Sequence, residues 1–130
     1  MKLKVIRGAG GFTLIELLII IAILGILAVI AIPQMAAYRR RSIDSQVRYD
    51  VKNAAIAQEA YFADMKTYAG NITDLSGSRG FRQSANVNIV ASGTSGGFVV
   101  TATAISGCSS STGTWWVDSS GGQIAGTPCN

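Results

Sequence analysis

Gly11-Phe12-Thr13-Leu14-Ile15-Glu16-Leu17-Leu18-Ile19-Ile20-Ile21-Ala22-Ile23-Leu24-Gly25-Ile26-Leu27-Ala28-Val29-Ile30-Ala31-Ile32-Pro33 decides how the rest of the chain is read. From Leu17 to Ile32 every residue is apolar, and between Phe12 and Leu17 only Thr13 and Glu16 interrupt the run. At ~1.5 Å per residue, a helix from Phe12 to Ile32 is roughly 30 Å long, about the thickness of a bilayer's hydrocarbon core. No polar stripe breaks its circumference, so such a helix belongs in lipid or among other protein. A chain of 130 residues lacks the material to bury it internally and also build a second core.

Glu16 is out of place in a plain anchor. Deep in a membrane helix an acidic residue costs roughly 2.5–3.5 kcal/mol on insertion scales, and less near an end. Either it lies at the headgroups and stays wet, or it meets a cation. A cut between Gly11 and Phe12 would create that cation as a free α-amino group. Phe12 and Glu16 are four apart and share a helix face, so an amine and a carboxylate of neighbouring helices are placed to neutralise each other.

Before the run, Met1 to Gly11 carries Lys2, Lys4 and Arg7 with no acid. A secretory signal peptide is the competing reading, but Glu16 is odd in such a core and Val29-Ile30-Ala31 is only a fair cleavage match. Much of the formal net charge of +4 sits in this leader. From Phe12 onward the Lys/Arg and Asp/Glu counts nearly cancel, so net charge is no argument for nucleic-acid binding. The chain has no histidine, which removes the commonest metal ligand and the commonest acid–base group near neutral pH.

Gly11-Phe12-Thr13-Leu14-Ile15-Glu16, the short basic leader, Gly25 within the run, Ala31-Ile32-Pro33-Gln34 and Tyr38-Arg39 closely resemble the N-terminus of type IV pilins. The likeness is strong over about the first 40 residues and loose beyond, and type II secretion pseudopilins and minor pilins share it. It implies that Gly11 precedes the cut made by a membrane prepilin peptidase. Phe12 then becomes the N-methylated N-terminus, and Glu16 pairs with the Phe12 amine of an adjacent subunit. Gly25 and Pro33 match positions bracketing a segment that loses helical form in assembled pili. The chemistry agrees, since Pro33 has no N–H for the Val29 carbonyl and Gly25 is a poor helix former. The implied fold is α+β: a long N-terminal helix, hydrophobic then amphipathic, packed on a small antiparallel sheet. The implied partners are copies of itself in a filament, the peptidase, an inner-membrane assembly platform and membrane lipids. The precursor would sit in the inner membrane with its N-terminus in the cytoplasm, and the assembled subunit outside the cell.

Four segments are expected: a leader over 1–11, the hydrophobic helix over 12–33, its amphipathic continuation over 34–65, and a globular head over 66–130. Ile43, Val47, Val51, Ala54, Tyr61 and Met65, widened by Ala55 and Phe62, form the apolar stripe of the continuation. Asp44 and Arg48 are four apart and suited to pair. Arg39-Arg40-Arg41 reads as a solvated collar, with lipid phosphates or an acidic residue of another subunit (Asp44, Asp50) as alternative partners; DNA is weakly supported. With Lys2, Lys4 and Arg7 on one side of the run and Arg39, Arg40, Arg41, Arg48 and Lys52 on the other, counting charge alone puts the C-terminal side in the cytoplasm. The cysteines and the family likeness argue the opposite. Tyr38, Tyr49, Tyr61, Phe62 and Tyr68 read as packing groups, against the alternative of an electron path.

In the head, 66–86 reads as a connecting loop, and Asn71-Ile72-Thr73 matches a glycosylation sequon. Strands are expected over 87–91, 98–105, 115–117 and 123–125, with a glycine-rich turn at 118–122. Trp115 and Trp116 should point to opposite faces of one strand. Two cysteines in a chain sent across a membrane, Cys108 and Cys129, read as one disulfide; in a reducing compartment they would be free thiols. The family likeness implies a disulfide-bounded C-terminal loop, worth about 3 kcal/mol by chain entropy.

No catalytic constellation, phosphate-cradling loop or carboxylate cluster is present, and neither cofactor nor enzymatic activity is expected. Pseudopilins typically carry an acidic calcium site near the C-terminus and no disulfide. Here Asp118 is the only acid after Asp74, which favours the pilin over the pseudopilin.

Overall fold

The structure, a computed structural model, describes residues 11–77, 80–108 and 113–130. The sequence-based expectations for the leader positions before Gly11 lie outside these. Helix α1 (Leu14–Met65) is followed by a 3-10 helix (Ile72–Leu75) and four strands: β1 (Val87–Thr94), β2 (Gly97–Ala104), β3 (Thr114–Asp118) and β4 (Ala125–Thr127). The strands form one antiparallel sheet in the order β1-β2-β3-β4, so the fold is α+β. The chain divides into two compact units, Met1–Ala36 and Ala37–Asn130.

In the second unit α1 packs on the sheet through Val47, Val51, Ala54 and Ala57, which join one buried cluster with Val87, Ile89, Ala91, Phe98, Val100, Ala102, Ala104 and Val117. The alternation along β2 places Phe98, Val100, Ala102 and Ala104 inward, as the pleat demands. At the far end of the stripe Met65 departs from expectation and is 53% exposed. The helix ends there. Lys66 turns into a left-handed conformation (φ 59°), and its Nζ donates to the Ala63 carbonyl at 3.0 Å.

The buried side of α1 is not wholly apolar. Gln58 is 0% exposed and holds both ends of one peptide edge: its Nε2 donates to the Ala69 carbonyl (3.0 Å) and its Oε1 accepts from the Ala69 N–H (2.8 Å). Asp50, 1% exposed, accepts from the Ser84 N–H (2.9 Å) and Ser84 hydroxyl (3.0 Å). Two helical side chains thus satisfy backbone donors of the loop between α1 and β1. That loop has no ladder of its own, and a buried amide left unpaired would cost about 1–3 kcal/mol.

Within the loop the sequence reading missed the 3-10 helix. Asn71 is its N-cap, accepting from the N–H groups of Thr73 (3.1 Å) and Asp74 (3.3 Å), and its Oδ1 also takes the Thr73 hydroxyl. The Asn71-Ile72-Thr73 sequence is a capping motif here. Tyr68 stacks on Phe62 (centroids 4.5 Å apart) and tilts against Phe98 (4.9 Å), so these aromatics join helix, loop and sheet. Tyr38 and Tyr49 are exposed. Gly93 is required where it stands: a Cβ would fall 2.5 Å from the Ala69 carbonyl oxygen.

Strand β4 begins at Ala125, two residues later than the expected Gln123. The cause is the preceding turn. Asp118 Oδ1 accepts from the Ser120 N–H (2.9 Å), the Ser120 hydroxyl (2.6 Å) and the Gly121 N–H (2.7 Å), while Gly122 (φ 62°) donates to the Asp118 carbonyl at 3.0 Å. Those donors, the Ser120 hydroxyl first and the Gly121 N–H next, hold the Asp118 carboxyl below the usual carboxylate range.

Replacing Gln58 with Leu should lower the stability of the second unit by roughly 2 kcal/mol, because the Ala69 N–H and carbonyl lose their partners. Chemical denaturation followed by near-UV circular dichroism checks this, and an unchanged midpoint would refute it. A second expectation concerns pH. A depressed carboxyl stabilises the folded turn above its unfolded pKa and loses that contribution as pH falls through the lower folded value. The Ser120 and Gly121 amide resonances should therefore titrate together below the ordinary aspartate value, and Asp118→Asn should abolish the step.

Candidate processing and assembly site

Phe12 is 82% exposed, and Gly11, Phe12 and Thr13 precede the first helical residue, Leu14. Gly11–Phe12 is thus an exposed peptide bond just outside α1. Thr13 and Glu16 make a reciprocal cap: Thr13 N–H and Thr13 hydroxyl each donate to Glu16 Oε2 at 2.8 Å, and Glu16 N–H donates to Thr13 Oγ1 at 3.2 Å. A Thr-x-x-Glu sequence before an apolar run is the signature of this capping box. The sequence reading treated Thr13 only as an interruption. The signal that identifies its role lay in the spacing. The carboxylate also sits in the first turn, where unpaired N–H groups favour negative charge.

Beyond Glu16, Leu17, Leu18, Ile19, Ile20, Ile21, Ile23, Leu24, Ile26, Leu27, Val29, Ile30 and Ile32 are all exposed. The helix is long and apolar enough to cross a membrane. In the single chain α1 runs through Gly25 and Pro33 without interruption. Loss of one N–H at Pro33 removes one hydrogen bond, and the neighbouring turns keep theirs.

The charged groups after the run are arranged differently from expectation. Asp44 does not serve the collar arginines or an Arg48 pair. Its Oδ1 accepts from Trp115 Nε1 (3.1 Å) and its carboxylate from the Cys129 N–H (2.9 and 3.0 Å). Arg48 lies over the Trp115 ring, 4.6 Å from its centroid. Asp50 is committed to Ser84. Within the chain both acids are thus engaged by residues far from them in sequence. Cys129 is joined to Cys108 in a disulfide with Cα atoms 5.1 Å apart, closing a loop whose ends are 21 residues apart. Asp44 thereby fastens α1 to both β3 and the C-terminal cysteine. Gly113 fits beside it because a Cβ there would lie 2.9 Å from Asp44 Oδ1. Trp115 is half-buried on this inner side, and Trp116 faces out.

The family model for a prokaryotic N-terminal methylation motif matches residues 6–32. The chain is 48% identical over 65 residues to the type IV wide pilus major component PilA4 of Thermus thermophilus, covering 50% of each chain. It is 44% identical over 59 residues to the type IV major pilin protein PilA of Myxococcus xanthus, covering 45% of this chain and 27% of that one. It is 36% identical over 62 residues to the type II secretion system core protein G of Pseudomonas aeruginosa, covering 48% of this chain and 44% of that one. The matches thus span half or less of these relatives' length.

Asp44→Ala should destabilise the second unit by roughly 2 kcal/mol, since the Trp115 indole and the Cys129 amide both lose an ionised acceptor. It should also speed reduction of the Cys108–Cys129 bond by dithiothreitol, read as free thiol appearing with time. Wild-type stability and an unaltered reduction rate would refute the fastening role.

Proposed function

We propose that this chain, a type IV pilin by its N-terminal motif and its relatives, is the structural subunit of a pilus filament. One observation carries the reading: a helix bare of cover around its whole circumference from Leu14 to Ile32, with a single acid in its first turn. In the precursor, lipid covers that surface; in the filament, like helices do. The exchange is nearly neutral in hydrophobic terms, so packing and specific polar contacts supply register.

Residues 1–11 are the leader. A membrane peptidase cuts after Gly11, and Phe12 becomes a methylated N-terminus. Its amine meets Glu16 of the adjacent subunit, replacing the Thr13 donors that hold the carboxylate in the single chain. Residues 12–33 form the membrane and assembly segment, 34–65 the amphipathic continuation and 66–130 the head. In the filament the helix opens between Gly25 and Pro33, where a missing donor and a flexible residue weaken it. The precursor is held in the inner membrane, N-terminus inward, and an assembly platform there extracts it to the cell exterior. The chain is a building block and a substrate for processing, not a catalyst.

Glu16→Ala should insert and be processed normally yet give no fibres in a shearing assay. Thr13→Ala, which removes only the local cap at about 1 kcal/mol, should still give fibres. Fibres from Glu16→Ala would refute the pairing. Sheared fibres containing this chain as their main component, starting at methyl-Phe12, separate the pilin from a secretion pseudopilin.

A further inference from the structure

Helix α1 has a defined starting point, at Thr13. The Leu17 N–H donates to the Thr13 carbonyl at 3.3 Å, and among the described residues no bond to the Gly11 or Phe12 carbonyl precedes it. Thr13 Oγ1 accepts from the Glu16 N–H at 3.2 Å, one of the first-turn donors that a helical ladder leaves without a partner. Gly11, Phe12 and Thr13 themselves lie outside regular structure. Thr13 is thus the N-cap, the flanking residue whose carbonyl opens the ladder and whose side chain closes the first turn. The Glu16 carboxylate completes the capping box from the other side. The bond that fixes the start, however, is made by the Glu16 backbone.

This start leaves the Gly11 carbonyl two residues short of the ladder. Hydrolysis of Gly11–Phe12 would add the hydroxyl of a water to that carbonyl carbon and a proton to the Phe12 nitrogen, leaving a Gly11 carboxylate and a Phe12 ammonium. The carbonyl oxygen takes up negative charge on the way, and a peptidase stabilises it with its own donors. An oxygen already held by a helical N–H is closed to them. Without the Thr13 cap, the sequence offers another start nearby. Glycine is about as good an N-cap as threonine, whereas alanine and valine are poor ones, so Gly11 is the next cap upstream. A helix capped at Gly11 takes Phe12 and residue 13 into its first turn. It also places the Ile15 N–H on the Gly11 carbonyl, the group to be attacked. Thr13 therefore decides on which side of the helix boundary this bond lies.

We propose that Thr13 is a positioning residue for leader removal: as the N-cap of α1 it holds the Gly11–Phe12 bond outside the helix, where a peptidase can take it. The inference rests on the processing reading of Gly11 and Phe12, and adds to it a residue that acts through the helix boundary rather than on the reacting atoms.

The test incubates the full-length chain in detergent with membranes containing a prepilin peptidase, and reads initial cleavage rates by mass spectrometry as loss of residues 1–11. Thr13→Val keeps the shape of threonine without its hydroxyl. It should be cut about fivefold more slowly, the shift that losing one such cap gives to a helix-start equilibrium. Thr13→Asn differs in shape but is a good N-cap, and should be cut at least as fast as wild type. In the uncut chain, the carbonyl carbon NMR shifts of Gly11 and Phe12 should move to helical values in Thr13→Val and stay in place in Thr13→Asn. Equal rates for wild type and Thr13→Val, with both cut after Gly11, would overturn the role of the cap and leave the processing reading standing. So would slow cleavage of Thr13→Val with unmoved carbonyl shifts. A Thr13→Asn chain as slow as Thr13→Val would also overturn it, because the peptidase would then be reading the threonine side chain directly. A wild-type chain never cut after Gly11 would remove the processing reading and this inference with it.

Discussion

An apolar surface that closes all the way round a helix has no stable place in water. Each leucine or isoleucine left exposed forgoes about 1.5–3 kcal/mol relative to a buried one, and α1 presents more than a dozen such side chains between Leu14 and Ile32. No capping or surface ion pair, worth a few tenths to about 1 kcal/mol, competes with that sum. Cover for this segment comes from lipid or from other protein. Against this background the capping box of Thr13 and Glu16 has a double meaning. It pairs first-turn N–H groups of the helix, and it keeps a carboxylate localised at that end.

The second unit obeys a different rule. Its core is small and alternates with the strand pleat, but three polar side chains of α1 decide how loops attach to it. Gln58 holds Ala69, Asp50 holds Ser84, and Asp44 holds Trp115 and Cys129. Each pairs with backbone or indole N–H groups far away in sequence. A charged pair on the helix surface, such as Asp44 with Arg48, would have been worth little. The same carboxylate turned inward satisfies donors that no ladder reaches, and Arg48 is released to lie on Trp115. The disulfide adds a covalent tie at the same corner, so the C-terminal loop is fixed both to the sheet's side and to α1.

The two faces of the sheet are correspondingly unlike. The inner face, with Ile89, Ala102 and Val100, is closed by α1. The outer face has valines, threonines and one tryptophan in register, uncharged apart from Asp118.

The apolar run, the capping spacing at Thr13 and Glu16, the amphipathic stripe and the inward set of β2 are legible in the residues alone. Hydrophobic length and periodicity are local properties, and burial follows them wherever one face is covered. Asp44 was paired with Arg48 from spacing, and Gln58 was passed over, since i, i+4 neighbours describe an isolated helix and say nothing of donors arriving from residues 69, 84, 115 and 129. The start of β4 and the 3-10 helix were missed for a different reason: each follows from a local side-chain cap, the Asp118 turn and the Asn71 cap, that hydrophobic periodicity does not register. Sequence by itself determined what must leave water; only the folded chain decided which polar groups are used up in holding it together, because hydrogen-bond partners are chosen by distance in space.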